Sequence, residues 1–233
     1  MNTRHIFAIA DNGFRTDKET LSLYQMILKT SGKMRPKVCV IPTASGDDQS
    51  YLDAFYAMFS NYDCDVSHVS LFRGETEAIE NHILAQDVIY VTGGNTRNML
   101  VLWKEWGVSE MLRKAYQDKG VVLAGGSAGS LCWFESGVTD SIPGRFSSMN
   151  CLGFLKGSNC PHYNEFTRRP FYLNAVQSGE LQSGFGAQNG VALHFENEIF
   201  KEALSAYPNR FAYRLERADQ TCREIEIPAR VLS

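Results

Sequence analysis

Residues 121–129 read Val-Val-Leu-Ala-Gly-Gly-Ser-Ala-Gly, a compact apolar run that closes in glycines around a serine. The run Val121 to Ala124 has the length and unbroken apolarity of a strand buried on both faces, the usual signature of a parallel sheet. Ser127 stands between Gly125 and Gly129 in a GxSxG pattern, and Ser130-Leu131-Cys132-Trp133-Phe134 predicts a helix after it. A serine on so tight a strand-to-helix turn is held in strained backbone geometry, so its neighbours two positions away must be small. Its hydroxyl then stands above the carboxyl end of the sheet, where a helix amino terminus favours developing negative charge. The competing account is a glycine-rich turn made for close packing.

Upstream, Asp87 to Thr92 (DVIYVT) is a second such strand, ended by Gly93-Gly94-Asn95-Thr96 and followed by a helical pattern (NMLVLW). Two successive glycines let backbone N–H groups approach a ligand, so Gly94 can join Ala128 in donating to an oxyanion beside Ser127. The competing account of this turn is a helix cap by Asn95 or Thr96, which can hold together with the oxyanion role because capping uses side chains and the oxyanion site backbone; Asn95 is also expected to bind substrate. His5 to Ala10, Lys37 to Ile41 and Val66 to Leu71 read as further strands, with helices over Asp17 to Ser31 and Ser50 to Ser60. Strands alternating with helices predict βαβ units and an α/β fold. Beyond Ser136 the pattern reads as Gly- and Ser-rich loops and one helix over Arg168 to Gln177. An antiparallel end follows, with strands at Gly190 to Phe195, Phe211 to Leu215 and Arg223 to Ile227 covering one sheet edge. With no repeat or linker, residues 1–233 are read as a single domain.

Hydrophobic residues at 44% and charged residues at 21% match globular averages and exclude a disordered chain. The formal net charge of −3 predicts neither a nucleic-acid nor an anionic-membrane surface. No apolar run approaches the roughly 18 residues needed to cross a bilayer, and Met1 to His5 lead into only a short apolar stretch, unlike a secretory signal. The expectation is a soluble cytoplasmic protein. Six scattered cysteines without a CxxC pair suggest neither disulfides nor a zinc or redox motif, so all six are expected reduced, with no metal and no cofactor.

A serine nucleophile needs a base, and the chain has five histidines. His5 and His82 lie near the starts of elements away from this face, His68 lies in a strand, and His194 reads as a packed core or edge residue. His162, in Cys160-Pro161-His162-Tyr163-Asn164, lies in a loop with no apolar periodicity, downstream of the serine and able to fold over it.

The strand-VTGGNT turn, the AGGSAG turn, WFESGVTDS, GSNCPHYN and NGVALHF, taken in this order, resemble the peptidase E (aspartyl dipeptidase) family, related to the cyanophycinases. The resemblance covers about Val38 to Leu215. It implies a flavodoxin-like, class I glutamine-amidotransferase-like three-layer α/β sandwich with a mostly parallel central sheet. It also implies a serine peptidase with Ser127 as nucleophile and His162 as base, acting on small peptides with an amino-terminal aspartate. One departure concerns the third member of the triad. Relatives usually carry an acid just before the glycine of NGVALHF, where this chain has Gln188-Asn189-Gly190. Asn189 can accept a hydrogen bond from the histidine but cannot stabilise an imidazolium by charge; in serine proteases the Asp-to-Asn change costs about 10⁴ in rate. Asn164 also stands where relatives often have aspartate, and Asp140 and Glu165 are the remaining nearby acids.

An aspartyl substrate needs a cation, and Arg168 and Arg169 follow His162 closely; adjacent helical positions diverge by roughly 100°, so one of them, with Arg169 preferred, is expected to reach the site. The alternative is a weakly active or inactive relative that binds a small carboxylate or peptide ligand, motivated by the missing acid. An α/β-hydrolase esterase shares GxSxG but requires an HGGG-type loop and a late histidine, and the chain has no HGGG. A homodimer is left open.

Overall fold

The computed structural model describes residues 3–11, 18–74, 78–219 and 221–232. Among these, a central sheet of eight strands runs in the order β14-β11-β10-β1-β5-β4-β2-β3. Its parallel half comprises β1 (His5–Ile9), β2 (Lys37–Ile41), β3 (Asp65–His68), β4 (Val88–Val91) and β5 (Val122–Gly126). The other half is built by β10 (Val191–Glu196), antiparallel to both β1 and β11 (Ile199–Ser205), and by β14 (Arg230–Val231), parallel to β11.

Alternation along the strands divides the core into two layers. Phe7, Ile9, Val38, Val40, Val88 and Tyr90 pack with α1 (Lys18–Thr30) and α2 (Gln49–Phe59) through Tyr24, Ile27, Phe55 and Phe59. Ile6, Ala8, Cys39, Ile41, Ile89 and Val91 face the other way, against α3 (Ile79–Leu84), α4 (Thr96–Glu105) and α5 (Val108–Lys119) through Ile83, Trp103, Leu112 and Tyr116. Side chains that alternate across a pleat feed both layers, and the result is the flavodoxin-like α/β sandwich with a mostly parallel sheet. The helix start read at Asp17 lies outside the described residues.

Three readings of the sequence are corrected. The segment after Ser136 is not loop: β6 (Phe134–Ile142), β7 (Arg145–Asn150), β8 (Leu155–Cys160) and β9 (Gly184–Ala187) join β12 (Phe211–Ala218) and β13 (Thr221–Pro228) in a six-stranded second sheet. The late strands do not cover one edge together, since β10 lies inside the central sheet while β12 and β13 belong to the second. The helix after Ser127 is a single turn, α6 (Ala128–Leu131), because the chain turns at Cys132 and Trp133 and enters β6.

The second sheet sets the positions that matter for chemistry. Its strand β8 pairs in parallel with β9, Ser158 opposite Gly184 and Cys160 opposite Gly186, so the loops that follow both strands emerge side by side. The loop after β8 carries His162, and the loop after β9 carries Asn189. Helix α7 (Arg168–Ser178) covers this sheet through Tyr172, Ala175 and Val176, packed with Val138, Cys160, Tyr163 and Tyr213.

Candidate active site

Ser127 follows β5 with φ 53° and ψ −106°, a region that side-chain-bearing residues rarely occupy and that costs on the order of 1–3 kcal/mol. The surroundings hold it there. Its N–H donates to the Ile9 carbonyl at 3.0 Å, and its own carbonyl accepts from Ser130 and Leu131. The two flanking glycines are sterically required: a Cβ on Gly125 would stand 2.5 Å from the Gly129 oxygen, and one on Gly129 would stand 2.2 Å from the Val91 oxygen. The GxSxG spacing thus lets the turn fold back on itself and sink against β4 while the hydroxyl stays half-buried and accessible.

His162, also at positive φ (56°), is held by the turn in which its carbonyl accepts from Glu165, and by Tyr163, whose N–H donates to Ala187 at the end of β9. Its Nε2 lies 2.8 Å from Ser127 Oγ and its Nδ1 lies 2.6 Å from Asn189 Oδ1. An amide oxygen only accepts, so the ring proton resides on Nδ1. That leaves the Nε2 lone pair for the serine O–H. Behind this row, the Asn189 N–H donates to Asn164 Oδ1 at 2.8 Å, which ties the two loops together.

The alternative acids are committed elsewhere. Asp140 and Glu165 both accept from Arg168, each at 2.8 Å. Arg168, expected as a substrate residue, is instead an internal cation with its side chain 5% exposed, lying over the Phe146 ring. Burial lowers its pKa, but the Glu165 bond and the charge of Asp140 outweigh that and leave it raised. Arg169 pairs with Glu224, whose bond raises its pKa, and lies over the Tyr163 and Tyr213 rings. Its side chain is 45% exposed and lines a cavity of about 380 Å³ with Asn164 and Phe166 and with Tyr163 and Gln188, the chain neighbours of His162 and Asn189.

Asn95 caps α4 by accepting from Asn98 and donates its amide to the Ser141 carbonyl. Gly94 (φ 138°) is pressed on the Thr43–Ser45 turn: a Cβ there would stand 2.1 Å from the Ala44 oxygen. The roles of Asn164, as anchor, and of Asp140 and Glu165, as partners of Arg168, escaped the sequence reading. Pro143-Gly144 between β6 and β7 was the available signal for the hairpin that carries Asp140 to Arg168, since Pro-Gly punctuates tight turns.

Fold and site together define a serine-type hydrolase of the α/β class. Comparison with known proteins narrows this: the model of peptidase family S51 matches residues 6–203, and the chain belongs to that family of serine peptidases. It is 46% identical over 230 residues, 98% of this chain and 99% of the other, to the "Uncharacterized peptidase YgaJ" of Bacillus subtilis strain 168. Among solved structures it resembles a peptidase from an acI-B1 Actinobacterium, with TM-score 0.70 and 14% identity over 97% of this chain and 94% of that one. It also resembles a candidate peptidase E from Listeria monocytogenes EGD-e, with TM-score 0.64 and 18% identity over 87% of this chain and 98% of that one. These two likenesses concern the fold.

Proposed function

We propose that the chain hydrolyses short peptides bearing an amino-terminal aspartate through Ser127, His162 and Asn189. The observation that carries this reading is His162 bridging Ser127 Oγ and Asn189 Oδ1 in one hydrogen-bonded row. His162 Nε2 takes the hydroxyl proton as Ser127 Oγ bonds to the scissile carbonyl carbon, and the N–H groups of Gly94 and Ala128 hold the oxyanion. The proton then passes to the leaving amine as the C–N bond breaks. A water, deprotonated by the same nitrogen, releases the acyl group. Asn189 fixes the tautomer but adds no charge opposite the imidazolium, so turnover is slower than an aspartate would permit.

Arg169 is the proposed reader of the aspartate side chain, which would compete with Glu224 for the guanidinium. Single-domain organisation is supported by a hydrophobic cluster that joins Ile6 and Val91 of the central sheet to Leu155, Phe185 and Ala212 of the second. No helix among the described residues is long and apolar enough to cross a membrane. A cytoplasmic setting is part of the proposal, supported by six free cysteines.

The test has two arms. A phosphonylating reagent is expected to label Ser127, as located by peptide mapping, and to leave Ser127→Ala unlabelled; equal labelling of both removes the nucleophile assignment. Comparing kcat/KM for Asp-Leu and Asn-Leu in wild type and Arg169→Ala tests the specificity. A selective loss for Asp-Leu of roughly tenfold or more supports Arg169 as the reader. Equal losses, or none, remove it.

A further inference from the structure

At the end of the central sheet opposite Ser127, β1 and β10 bring together two histidines and a glutamate that the peptidase reading does not use. His5 and Glu196 are directly paired across the strands, and His194 lies on the same face two residues before Glu196. His5 Nδ1 is 3.1 Å from His194 Nε2 and 3.7 Å from Glu196 Oε1, and one donor atom from each residue lies within 4.8 Å of the others. Donor atoms on one tetrahedral zinc, at bond lengths of about 2.0–2.1 Å, stand about 3.3 Å apart, between the 3.1 and 3.7 Å that separate His5 Nδ1 from the other two donors. We propose that His5, His194 and Glu196 form a site for a borderline divalent cation, zinc above all, with water in the fourth position.

The surroundings fit a metal better than a plain histidine pair. His194 is 1% exposed, stacked on Phe7 at 4.2 Å, and its Nδ1 makes no hydrogen bond among the described residues. That nitrogen faces Glu202 Oε1 at 3.8 Å, and Glu202 is itself held by Arg230 through two bonds. At that distance Glu202 acts as a negative charge behind the imidazole rather than as a hydrogen-bond partner, and its field favours a cation on Nε2. Access is open, because the His5 and Glu196 side chains are 13% and 31% exposed. Two neutral imidazoles and one carboxylate form a nitrogen-rich set that suits zinc rather than magnesium or calcium.

Without a metal, Glu196 is occupied by Lys201. A cation entering the site displaces that ammonium and clamps β1 to β10. The site lies far from Ser127 in the sheet, so its role is structural. No sequence spacing reveals it, since its two histidines are 189 residues apart.

The experiment titrates the chelator-stripped full chain with Zn²⁺ against a chromophoric competitor, and with Co²⁺ by visible absorption. Wild type and Ser127→Ala are expected to bind one equivalent, with a tetrahedral cobalt spectrum. His5→Ala and Glu196→Gln, at the partly exposed rim, should each weaken zinc binding at least about tenfold, and Glu202→Gln by less than either. Lys201→Gln should tighten it. Circular dichroism of the stripped variants verifies their fold. Absence of saturable binding in wild type overturns the proposal, as does unchanged affinity in both His5→Ala and Glu196→Gln.

Discussion

Asn189 offers His162 an acceptor without a charge, and this one atom type separates two kinetic regimes. Aspartate there would keep the Nδ1 proton in place and, in the mechanism proposed above, also stabilise the imidazolium formed as Ser127 attacks. Asn189→Asp is therefore expected to raise kcat on Asp-Leu by tenfold or more with little change in KM, measured by steady-state kinetics on the folded variant. An unchanged or lower kcat would mean that charge at this position does not limit the native enzyme. Ser127 stood out in the sequence because it lies in a local motif whose shape depends on near neighbours, and His162 because, of five histidines, it lies in a loop with no apolar periodicity to account for it. Arg168 did not. Its two counterions, Asp140 and Glu165, come from β6 and from the loop before α7, and only the folded chain brings them to one guanidinium. Arg168→Ala removes a buried side chain packed on Phe146 while both carboxylates stay in contact with solvent, so chemical denaturation is expected to register a loss of about 1–3 kcal/mol, mostly from packing.

Where strands were strongly apolar, as in β4 and β5, they were legible; where they were rich in small polar residues they were not. The second sheet uses glycine and serine for a reason of space. A Cβ on Gly184 would stand 2.0 Å from the Ser158 oxygen, so β9 approaches β8 too closely for larger residues, and the composition reads as loop. The same crowding makes the turn around Ser127 brittle. Gly129→Ala drives a methyl group into the Val91 carbonyl, and relief requires α6 to shift away from β4, carrying Ser127 with it. We expect a loss of about 1–3 kcal/mol in denaturant unfolding. The fall in kcat/KM should exceed what that destabilisation alone explains at a temperature where the variant is fully folded. Full activity would show that the hydroxyl tolerates displacement.

Across the whole molecule, stability should carry the mark of His194. Burial, followed by the charges of His5 and Lys201, lowers its pKa from 6.5 to about 4 against the weaker opposing pull of Glu196 and Glu202. The unfolded chain takes up this proton near pH 6.5 and the folded chain only near 4. The contribution is thus complete above pH 6.5 and is lost as pH falls towards 4, by about 3 kcal/mol at most. Unfolding curves in chelator between pH 7 and 4.5 should show this slope in wild type and a shallower one in His194→Gln; parallel curves would assign the slope to other groups. The strand order has a different consequence, at the rims of the two sheets. Unpaired strand edges invite pairing with another chain. Here the central sheet ends on β14 and β3, two and four residues long. On the second sheet, β13 closes with Arg223, Glu224, Glu226 and Pro228, and β7 opens on Arg145 next to the Pro143-Gly144 turn. Short, charged or proline-ended rims make poor templates for strand addition, so the two sheets are expected to resist edge-to-edge growth into fibres.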